Sequence, residues 1–205
     1  MSAQPPLPDG PLDRDAVLAL YERTGGLRRG HFALTSGLHS DVYLQSAVVL
    51  QWPAVAEALG RALGEPWRGR VDAVVGPAMG GVVIGHEVAR ALGVRMVFAE
   101  RLGGAMTLRR SFEVEVGERA LVTEDVVTTG GSALEVAELL RAAGADVTGL
   151  ATLVDRLPEG ERLPLPYHAL ARVAAGAWPP EECPICEAGA EAESPGSRGL
   201  VERAK

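Results

Sequence analysis

Four apolar segments rich in β-branched residues recur along the middle of the chain and predict buried strands. They stay apolar throughout, without the alternation of a half-exposed sheet, and this is typical of strands in a parallel sheet that is covered on both faces. The segments are VDAVVG from Val71, VRMVFAE from Val94, RALVTED from Arg119 and DVTGLATLVD from Asp146.

Helical stretches separate these strands, and their apolar residues recur at the spacing of one helix face. They are predicted over residues 53–63, 81–92 and 132–143, and Gly144 is placed to cap the last one. Strand and helix alternating in this way predict an open α/β sheet with helices on both faces. In such folds ligands bind beyond the carboxyl ends of the strands.

Two parts of the chain lie outside this alternation. Residues 12–24 predict an amphipathic helix, and the short apolar runs and SG and HSD turns of residues 30–46 predict a small β element above the sheet. The tail after Trp178 is rich in Pro, Glu, Ala and Gly and is expected to be irregular around a CPIC turn. We therefore predict a helix and β element over 1–46, an α/β core over 47–175 and a tail over 176–205.

Composition excludes several classes of partner. The 205 residues include 20 basic and 27 acidic side chains, a net charge of −7, and no basic cluster suggests binding to nucleic acid or to an anionic membrane. No apolar run approaches the roughly 20 residues of a membrane span, and the N-terminus lacks a secretory pattern, so we expect a cytoplasmic protein. Two cysteines are too few for a disulfide scaffold.

The stretch TEDVVTTGGSA from Thr123 combines features suited to a phosphorylated sugar. If a helix begins near Ser132, the hydroxyl and glycine loop before it presents free amides that bind a terminal phosphate. Glu124 and Asp125, at the end of the preceding strand, can accept hydrogen bonds from ribose hydroxyls. The alternative is a capped helix after an acidic strand end. Neither nucleotide loop pattern, GxxxxGK[ST] or GxGxxG, is present.

A second glycine-rich turn, GPAMGG from Gly76, follows a predicted strand and opens a helix. Its backbone amides suit a second anion such as pyrophosphate. Alternatively, Gly80 and Gly81 only permit tight packing of strand against helix.

These motifs together resemble the orotate phosphoribosyltransferase family, a branch of the type I phosphoribosyltransferases. TEDVVTTGGSA resembles the phosphoribosyl pyrophosphate motif and GPAMGG the pyrophosphate loop. FALTSGLHSDVY from Phe32 and LVDR ending at Arg156 resemble two further segments of that family. TLRRSFE and the terminal CPIC are similar to the subgroup found in thermophilic bacteria. The resemblance implies an open, mostly parallel sheet with a small hood formed by N-terminal and C-terminal segments.

The resemblance also implies an activity and a set of site residues. The reaction is transfer of the phosphoribosyl group from phosphoribosyl pyrophosphate to orotate, with substrate-bound Mg²⁺ as cofactor and few or no direct protein ligands to it. A cis peptide is expected near Ala78 and Met79. Thr128 and Arg156 are expected to contact orotate, and Glu124, Asp125 and Arg101 to act in catalysis. The sugar phosphate is expected to contact Glu124, Asp125, Val126, Val127, Thr128, Thr129, Gly130, Gly131 and Ser132, and the pyrophosphate Ala78, Met79, Gly80 and Gly81.

One departure from the family concerns the catalytic flap. The family's RKxxKxHG loop is replaced here by ERLGGAMTLRRSF, in which only Arg101 matches and Leu102 stands where lysine is expected. Arg109 and Arg110 are candidates to supply the missing charge from a mobile segment over 103–117. The alternative is an exposed β ribbon with solvated arginines.

The four histidines and the CPIC stretch allow more than one interpretation. His31, His39, His86 and His168 show no metal-binding spacing and are interpreted as structural, and no protein metal ligand is assigned. CPIC is either half of a zinc site that lacks two ligands, a redox pair or a tight turn.

The sequence is compatible with three different functions. The first is the orotate enzyme, expected to be a homodimer by resemblance. The second is a purine enzyme that uses adenine or xanthine, which Arg156 disfavours because purines carry no carboxylate. The third is a non-catalytic sensor of phosphoribosyl pyrophosphate, which the absence of a DNA-binding helix pair or basic face disfavours.

Overall fold

A small layer formed by the start of the chain covers one end of the molecule. The computed structural model describes residues 4–8, 10–34 and 36–195. Helix α1 (Arg14–Thr24) is capped by the Asp13 side chain, which accepts a hydrogen bond from the Ala16 amide. It leads into an antiparallel hairpin of β1 (Leu27–Ala33) and β2 (His39–Leu44).

The core that follows alternates strands and helices as predicted. Its elements are α2 (Ser46–Leu50), α3 (Pro53–Gly64), β3 (Ala73–Pro77), α4 (Gly80–Leu92), β4 (Arg95–Leu102), β5 (Ala105–Leu108), β6 (Arg119–Val127), α5 (Gly131–Ala142), β7 (Asp146–Asp155) and β8 (Tyr167–Arg172). The strands form one sheet in the order β5-β4-β3-β6-β7-β8. All neighbours are parallel except β4 and β5. The predicted α/β class with a mostly parallel sheet is confirmed.

Both faces of the sheet are buried, which explains why the strands are continuously apolar. Neighbouring residues of a strand point to opposite faces. Val74 of β3 packs into one hydrophobic cluster with residues of α1, α3 and α4, whereas the adjacent Val75 packs into a second cluster with residues of α5. Leu121 and Val122 of β6 divide between the two clusters in the same way.

Three short elements were not predicted from the sequence: α2, β5 and β8. Strand β5 has only four residues, and none of them is fully buried. Strand β8 follows Pro164 and Pro166, which suggest a loop in the sequence. Proline is tolerated immediately before an edge strand because no ladder amide is required there. None of the helices in the described ranges has both the length and the apolar character that crossing a bilayer requires.

The segment after β8 returns to the hairpin. Residues Pro184–Glu187 form a single helical turn, α6, which includes most of the CPIC stretch. The sequence predicted an irregular tail around a turn at this place. The Ala33 amide donates to the Glu193 carbonyl at 2.8 Å, and the His39 amide donates to the Trp178 carbonyl at 2.8 Å. The end of the described chain is therefore attached to the layer formed by its beginning.

Helices α3 and α4 cross closely at Gly60. A methyl group at this position would lie 2.4 Å from Cβ of Glu87 and 2.7 Å from its carbonyl carbon. Both are too close for carbon atoms, so the helix axes can approach this far only because Gly60 has no side chain.

We expect Gly60→Ala to destabilise the protein by about 1–3 kcal/mol, because overpacking outweighs the helix propensity gain of about 1 kcal/mol. Urea unfolding measures this free energy. Gly10→Ala is the control, since no atom lies within 4 Å of the methyl group it would add. Equal stability of Gly60→Ala and the parent protein would contradict the close crossing.

Candidate active site

The loop between β6 and α5 forms a cradle at the carboxyl end of the sheet. A cavity of about 180 Å³ is lined by Glu124 and residues 126–133. Gly130 caps α5 with φ of 79°, in the left-handed region that favours glycine. The first backbone amides of a helix have no acceptors within the helix. Here residues 131–133, at the start of α5, line the cavity. This geometry suits a phosphate group at the helix N-terminus.

Glu124 and Asp125 lie at the end of β6, beside this cradle, and both are half-buried. The Asp125 amide donates to Oε1 of Glu124 at 3.1 Å. Burial, together with the negative charge of Asp125, raises the pKa of Glu124 to about 9. Glu124 therefore holds a proton at neutral pH when no ligand is bound.

The two acids face the turn between β3 and α4. A methyl group at Gly80 would lie 2.3 Å from Oδ1 of Asp125 and 3.1 Å from Oε1 of Glu124. The space that a side chain would fill at residue 80 is thus the space in front of the carboxylates. The structure brings the two predicted anion-binding loops together around one acid pair.

The glycines of GPAMGG are also required for packing. A methyl group at Gly76 would lie 2.6 Å from the Gly81 carbonyl oxygen, and one at Gly81 would lie 2.6 Å from the Thr123 carbonyl oxygen. The peptide bond between Ala78 and Met79 is cis, as expected. The Met79 side chain is 83% exposed. The alternative, that Gly80 and Gly81 only permit tight strand-to-helix packing, holds for Gly81, and Gly76 packs in the same way. Gly80 instead lies next to the two carboxylates.

A larger cavity of about 730 Å³ adjoins the phosphate cradle. Thr128 and Thr129 line both cavities, so the two are direct neighbours. The other lining residues are predominantly apolar: Leu38, Leu157, Pro158, Ala174, Ala175 and Ala177, with Arg156, Glu159 and Arg172 as the charged members.

Arg156 is a half-buried cation that forms no ion pair with an acid in the described residues. Its Nη2 donates to Oγ of Ser40 at 3.2 Å, and its Nε is buried without a hydrogen-bond acceptor. Burial lowers the pKa of Arg156, although arginine remains protonated in proteins. In the part of the chain that the structure describes, no carboxylate lies within 4 Å of this guanidinium. The adjacent Asp155 is instead 3.7 Å from Nη1 of Arg172, so it pairs with that residue and not with Arg156.

The segment predicted as a mobile flap begins as a hairpin of β4 and β5. Arg101 bonds to Glu135 of α5 at 2.9 Å and to the Gly104 carbonyl. Arg109 and Arg110 lie 3.9 Å and 3.0 Å from the Glu100 carboxylate, and neither lines the two cavities. All three arginines are exposed. Of these flap candidates, Arg101 lies nearest to the phosphate cradle, because Glu135 is one helical turn beyond Ser132.

Two contributors to the larger cavity were missed in the sequence. Ser40 accepts the hydrogen bond of Arg156, and Leu38 lines the cavity wall. Both belong to the FALTSGLHSDVY segment, which indicated a covering element but gave no reason to select these two side chains. Their roles depend on how the hairpin sits over β7, and local sequence does not encode this contact.

Comparison with known proteins agrees with this geometry. Residues 47–166 match the family model described as Phosphoribosyl transferase domain. The orotate phosphoribosyltransferase of Caldanaerobacter subterraneus subsp. tengcongensis is 45% identical over 190 residues, covering 92% of this chain and 100% of that protein. The orotate phosphoribosyltransferase of Pelotomaculum thermopropionicum is 49% identical, with the same two coverages.

A solved structure shares the fold as well. The orotate phosphoribosyltransferase of Aeropyrum pernix superposes with a TM-score of 0.64 at 27% identity, over 77% of this chain and 93% of that one. With relatives this similar over nearly their full length, and with a phosphate cradle, an acid pair and an arginine around two adjacent cavities, the chain belongs to the orotate phosphoribosyltransferase family.

Proposed function

We propose that this protein transfers the 5-phosphoribosyl group from phosphoribosyl pyrophosphate to N1 of orotate. The products are orotidine 5′-monophosphate and pyrophosphate, a step of pyrimidine biosynthesis. The observation that carries the proposal is that Thr128 and Thr129 line both cavities. A phosphate in the cradle of α5 and a carboxylate at Arg156 would both belong to ligands that meet near Thr128 and Thr129.

The acid pair would act on the ribose. As the bond from C1 to pyrophosphate breaks and the bond to N1 forms, positive charge develops on the sugar. Glu124 and Asp125 can accept hydrogen bonds from the ribose hydroxyls and stabilise this charge without attacking C1. Loss of the proton that Glu124 holds in the free protein would let both of its oxygens accept hydrogen bonds and would strengthen its interaction with the positive sugar.

The site also fits the Mg²⁺ that would accompany the diphosphate. The carboxylate oxygens of Glu124 and Asp125 face the turn at Gly80, between the two glycine-rich loops, and oxygen is the ligand that Mg²⁺ prefers. These two carboxylates would hold the hydrated ion, directly or through its waters. When bound, the ion neutralises charge on the leaving pyrophosphate. The exposed backbone at Ala78 and Met79, with Gly80 and Gly81, would contact the same group.

Arg156 would select the base. Orotate is a planar pyrimidine that carries a carboxylate, and a guanidinium fork binds a carboxylate through two parallel hydrogen bonds. The free Nε of Arg156 and its Nη2, now held by Ser40, are suited to that arrangement. The apolar walls of the cavity would cover the two faces of the ring.

Arg101, Arg109 and Arg110 would supply positive charge from the β4–β5 hairpin and the segment after it. The three arginines are exposed, although their present partners Glu135 and Glu100 are half-buried, and ion pairs at the protein surface contribute only about 0–1 kcal/mol. The three arginines can therefore leave these carboxylates and bind pyrophosphate oxygens at little cost in free energy. A closed flap would also exclude water from a substrate that hydrolyses readily.

A homodimer and a cytoplasmic location complete the proposal. Three large apolar side chains, Met79, Val83 and Leu102, are exposed by 83%, 46% and 56%, which supports a partner surface on this chain. Cys183 and Cys186 are free thiols, the state that a reducing compartment maintains. Light scattering of the purified protein measures its molar mass and so tests whether it is a dimer.

The activity itself is tested with four candidate bases. Purified protein with Mg²⁺ and phosphoribosyl pyrophosphate is expected to convert orotate, and to leave adenine, xanthine and uracil unchanged, because none of these three carries a carboxylate for Arg156. Pyrophosphate release measures turnover. Release with a purine and none with orotate would overturn the assignment, and binding of the sugar substrate without turnover of any base would indicate a sensor.

We expect Arg156→Ala to raise KM for orotate roughly 10- to 100-fold, because charged hydrogen bonds contribute about 1.5–3 kcal/mol. KM for phosphoribosyl pyrophosphate should change less than about threefold, since the cradle of α5 is intact. Steady-state kinetics with each substrate varied gives both constants. Arg141→Ala, an exposed arginine on α5, is the control, and equal effects on the two substrates would contradict the role of Arg156.

Glu124→Gln should stabilise the ligand-free protein in a pH-dependent manner. The pKa of about 9 lies above the ordinary 4.5, so the folded state favours the protonated form. The stabilisation from binding that proton is fully present below pH 4.5 and is lost as the pH rises towards 9. Glutamine mimics the protonated form at every pH.

The advantage of Glu124→Gln over the parent protein should therefore grow by about 1–3 kcal/mol between pH 5 and pH 8. Urea unfolding at the two pH values measures it. Glu138→Gln, at an exposed position of α5, should follow the parent protein. Parallel pH profiles for Glu124→Gln and the parent would show that Glu124 is ionised in the folded state.

The double variant Arg109→Ala, Arg110→Ala should lower kcat about 10-fold or more, if the flap contributes one charged contact in the transition state. Its urea midpoint should remain close to that of the parent, because both arginines are exposed. Arg119→Ala removes an equally exposed arginine, one that pairs with Asp72 at the opposite end of the sheet, and serves as the control. Unchanged turnover in the double variant would remove these arginines from the mechanism.

A further inference from the structure

Four potential metal ligands meet where the hairpin contacts the C-terminal segment. His31 lies on β1 and His39 begins β2. Cys183 directly precedes the single turn of α6, and Cys186 lies within that turn. One ligand atom from each of the four lies within 4.8 Å of every other. His31 and Cys183 are 7% and 2% exposed, so the cluster is largely shielded from solvent. None of the four residues lines the phosphate cradle or the cavity of Arg156.

The contacts within this cluster exceed what hydrogen bonding can satisfy. Three atoms approach Nε2 of His31: Nδ1 of His39 at 2.9 Å, Sγ of Cys183 at 3.4 Å and Sγ of Cys186 at 3.6 Å. A neutral ring nitrogen has either one proton or one lone pair, so it can serve one such neighbour. A metal ion at the centre of the cluster, bound by all four ligand atoms, would satisfy all of these contacts at once.

The second nitrogen of His31 prepares the first for this role. Nδ1 of His31 lies 3.0 Å from the Ala190 carbonyl, which can only accept a hydrogen bond. Nδ1 therefore carries the proton, and Nε2 of the neutral ring presents its lone pair to the cluster. Metal-binding histidines in proteins are commonly oriented by such a hydrogen bond from the distal nitrogen.

The distances match a tetrahedral site. Zinc bonds of about 2.0–2.1 Å to nitrogen and about 2.3 Å to sulfur place neighbouring ligand atoms roughly 3.3–3.8 Å apart in a tetrahedron. The shorter contacts run from 2.9 Å between the two histidines through 3.2 Å between His39 and Cys186 to 3.6 Å, and the remaining pairs lie within 4.8 Å. Movements of up to about 1 Å would therefore bring all four ligand atoms to tetrahedral spacing.

We propose that His31, His39, Cys183 and Cys186 form a structural zinc site. Two nitrogens and two sulfurs at tetrahedral spacing favour zinc among the common metals. Four protein ligands leave no open position, so the ion would hold the chain and not act on substrate. The interpretation of His31 and His39 as ordinary structural residues, and of CPIC as lacking two further ligands, is replaced by this proposal.

The site would fasten the C-terminal segment to the hairpin that borders the Arg156 cavity. Only two residue pairs form isolated bridges between these parts of the described chain, Phe32 with Glu193 and His39 with Trp178. His39 directly precedes Ser40, whose Oγ accepts from Arg156. Zinc would thus keep Ser40 and Leu38 in place over the base-binding cavity.

Metal content tests the proposal first. Protein purified without chelators from medium supplemented with zinc should contain about one zinc per chain, as expected for a closed four-ligand site. Cys186→Ser and His31→Asn should each retain less than about a tenth of that amount after gel filtration, because a three-ligand site binds far more weakly. His86→Asn, which changes an exposed histidine outside the cluster, should retain all of it.

Cobalt gives a readout that does not depend on the variants folding. The parent protein, stripped and reloaded with Co²⁺, should show the intense visible bands of tetrahedral cobalt and a thiolate-to-cobalt charge-transfer band. Chelation of zinc should lower the thermal midpoint of the parent and leave that of Cys186→Ser unchanged. Parent protein that takes up neither metal, a Cys183–Cys186 disulfide found by mass spectrometry, or full zinc content in Cys186→Ser would each overturn the site.

The consequence for the proposed reaction is separable from the metal test. Zinc removal should raise KM for orotate at least about threefold more than KM for phosphoribosyl pyrophosphate, because the hairpin borders only the base cavity. Zinc binding with an unchanged ratio of these constants would refute the positioning of Ser40 and Leu38. The metal content and cobalt bands remain valid measurements even if the protein acts on a base other than orotate.

Discussion

The active-site geometry depends on a backbone contact between two strand ends. The turn after β3 approaches the end of β6 so closely that Gly76, Gly80 and Gly81 leave no room for a methyl group. The neighbours at these three positions are backbone atoms of the same turn, the Thr123 carbonyl and the two carboxylates. Because the parallel sheet fixes the separation of β3 and β6, the distance between the two anion-binding loops is fixed as well.

This contact also sets the electrostatics of the acid pair. Crowding at the end of β6 removes water from Glu124 and places it beside Asp125, so its proton is retained well above the usual range for a carboxylic acid. A site that must bind three phosphate groups near two carboxylates would otherwise repel its substrate. Retaining one proton until the sugar arrives reduces that repulsion, and it couples substrate binding to proton release.

Much of the fold could be predicted from the sequence, since its signals are local. The strands of the core stay apolar because both faces are covered, and TTGGS marks the start of α5 by its chemistry. Strand β8 and helix α2 escaped prediction because tertiary contacts stabilise them more than their own residues do. For Arg156, the sequence supplied the residue type, but its lack of a carboxylate partner follows only from the placement of Asp155 towards Arg172.

The cluster of His31, His39, Cys183 and Cys186 shows the limit of motif spacing most clearly. Its two halves lie about 150 positions apart, with separations of 152 and 147 residues between directly contacting members. Spacing rules detect ligands that are near each other in sequence, as in CPIC. They cannot detect a pair contributed by a hairpin at the other end of the chain, which only folding brings into contact.

The connection between β7 and β8 touches both halves of the site. Leu163 occupies the space where a side chain of Gly130 would lie, with Cδ2 2.7 Å from that position, and thereby supports the phosphate cradle. Residues 156–159 of the same connection line the base cavity. If the binding of one substrate displaces this segment, the affinity for the other substrate changes. By thermodynamic linkage, each substrate then changes the binding affinity of the other by the same factor. The six residues between Arg156 and Leu163 thus connect the phosphate cradle to the base cavity.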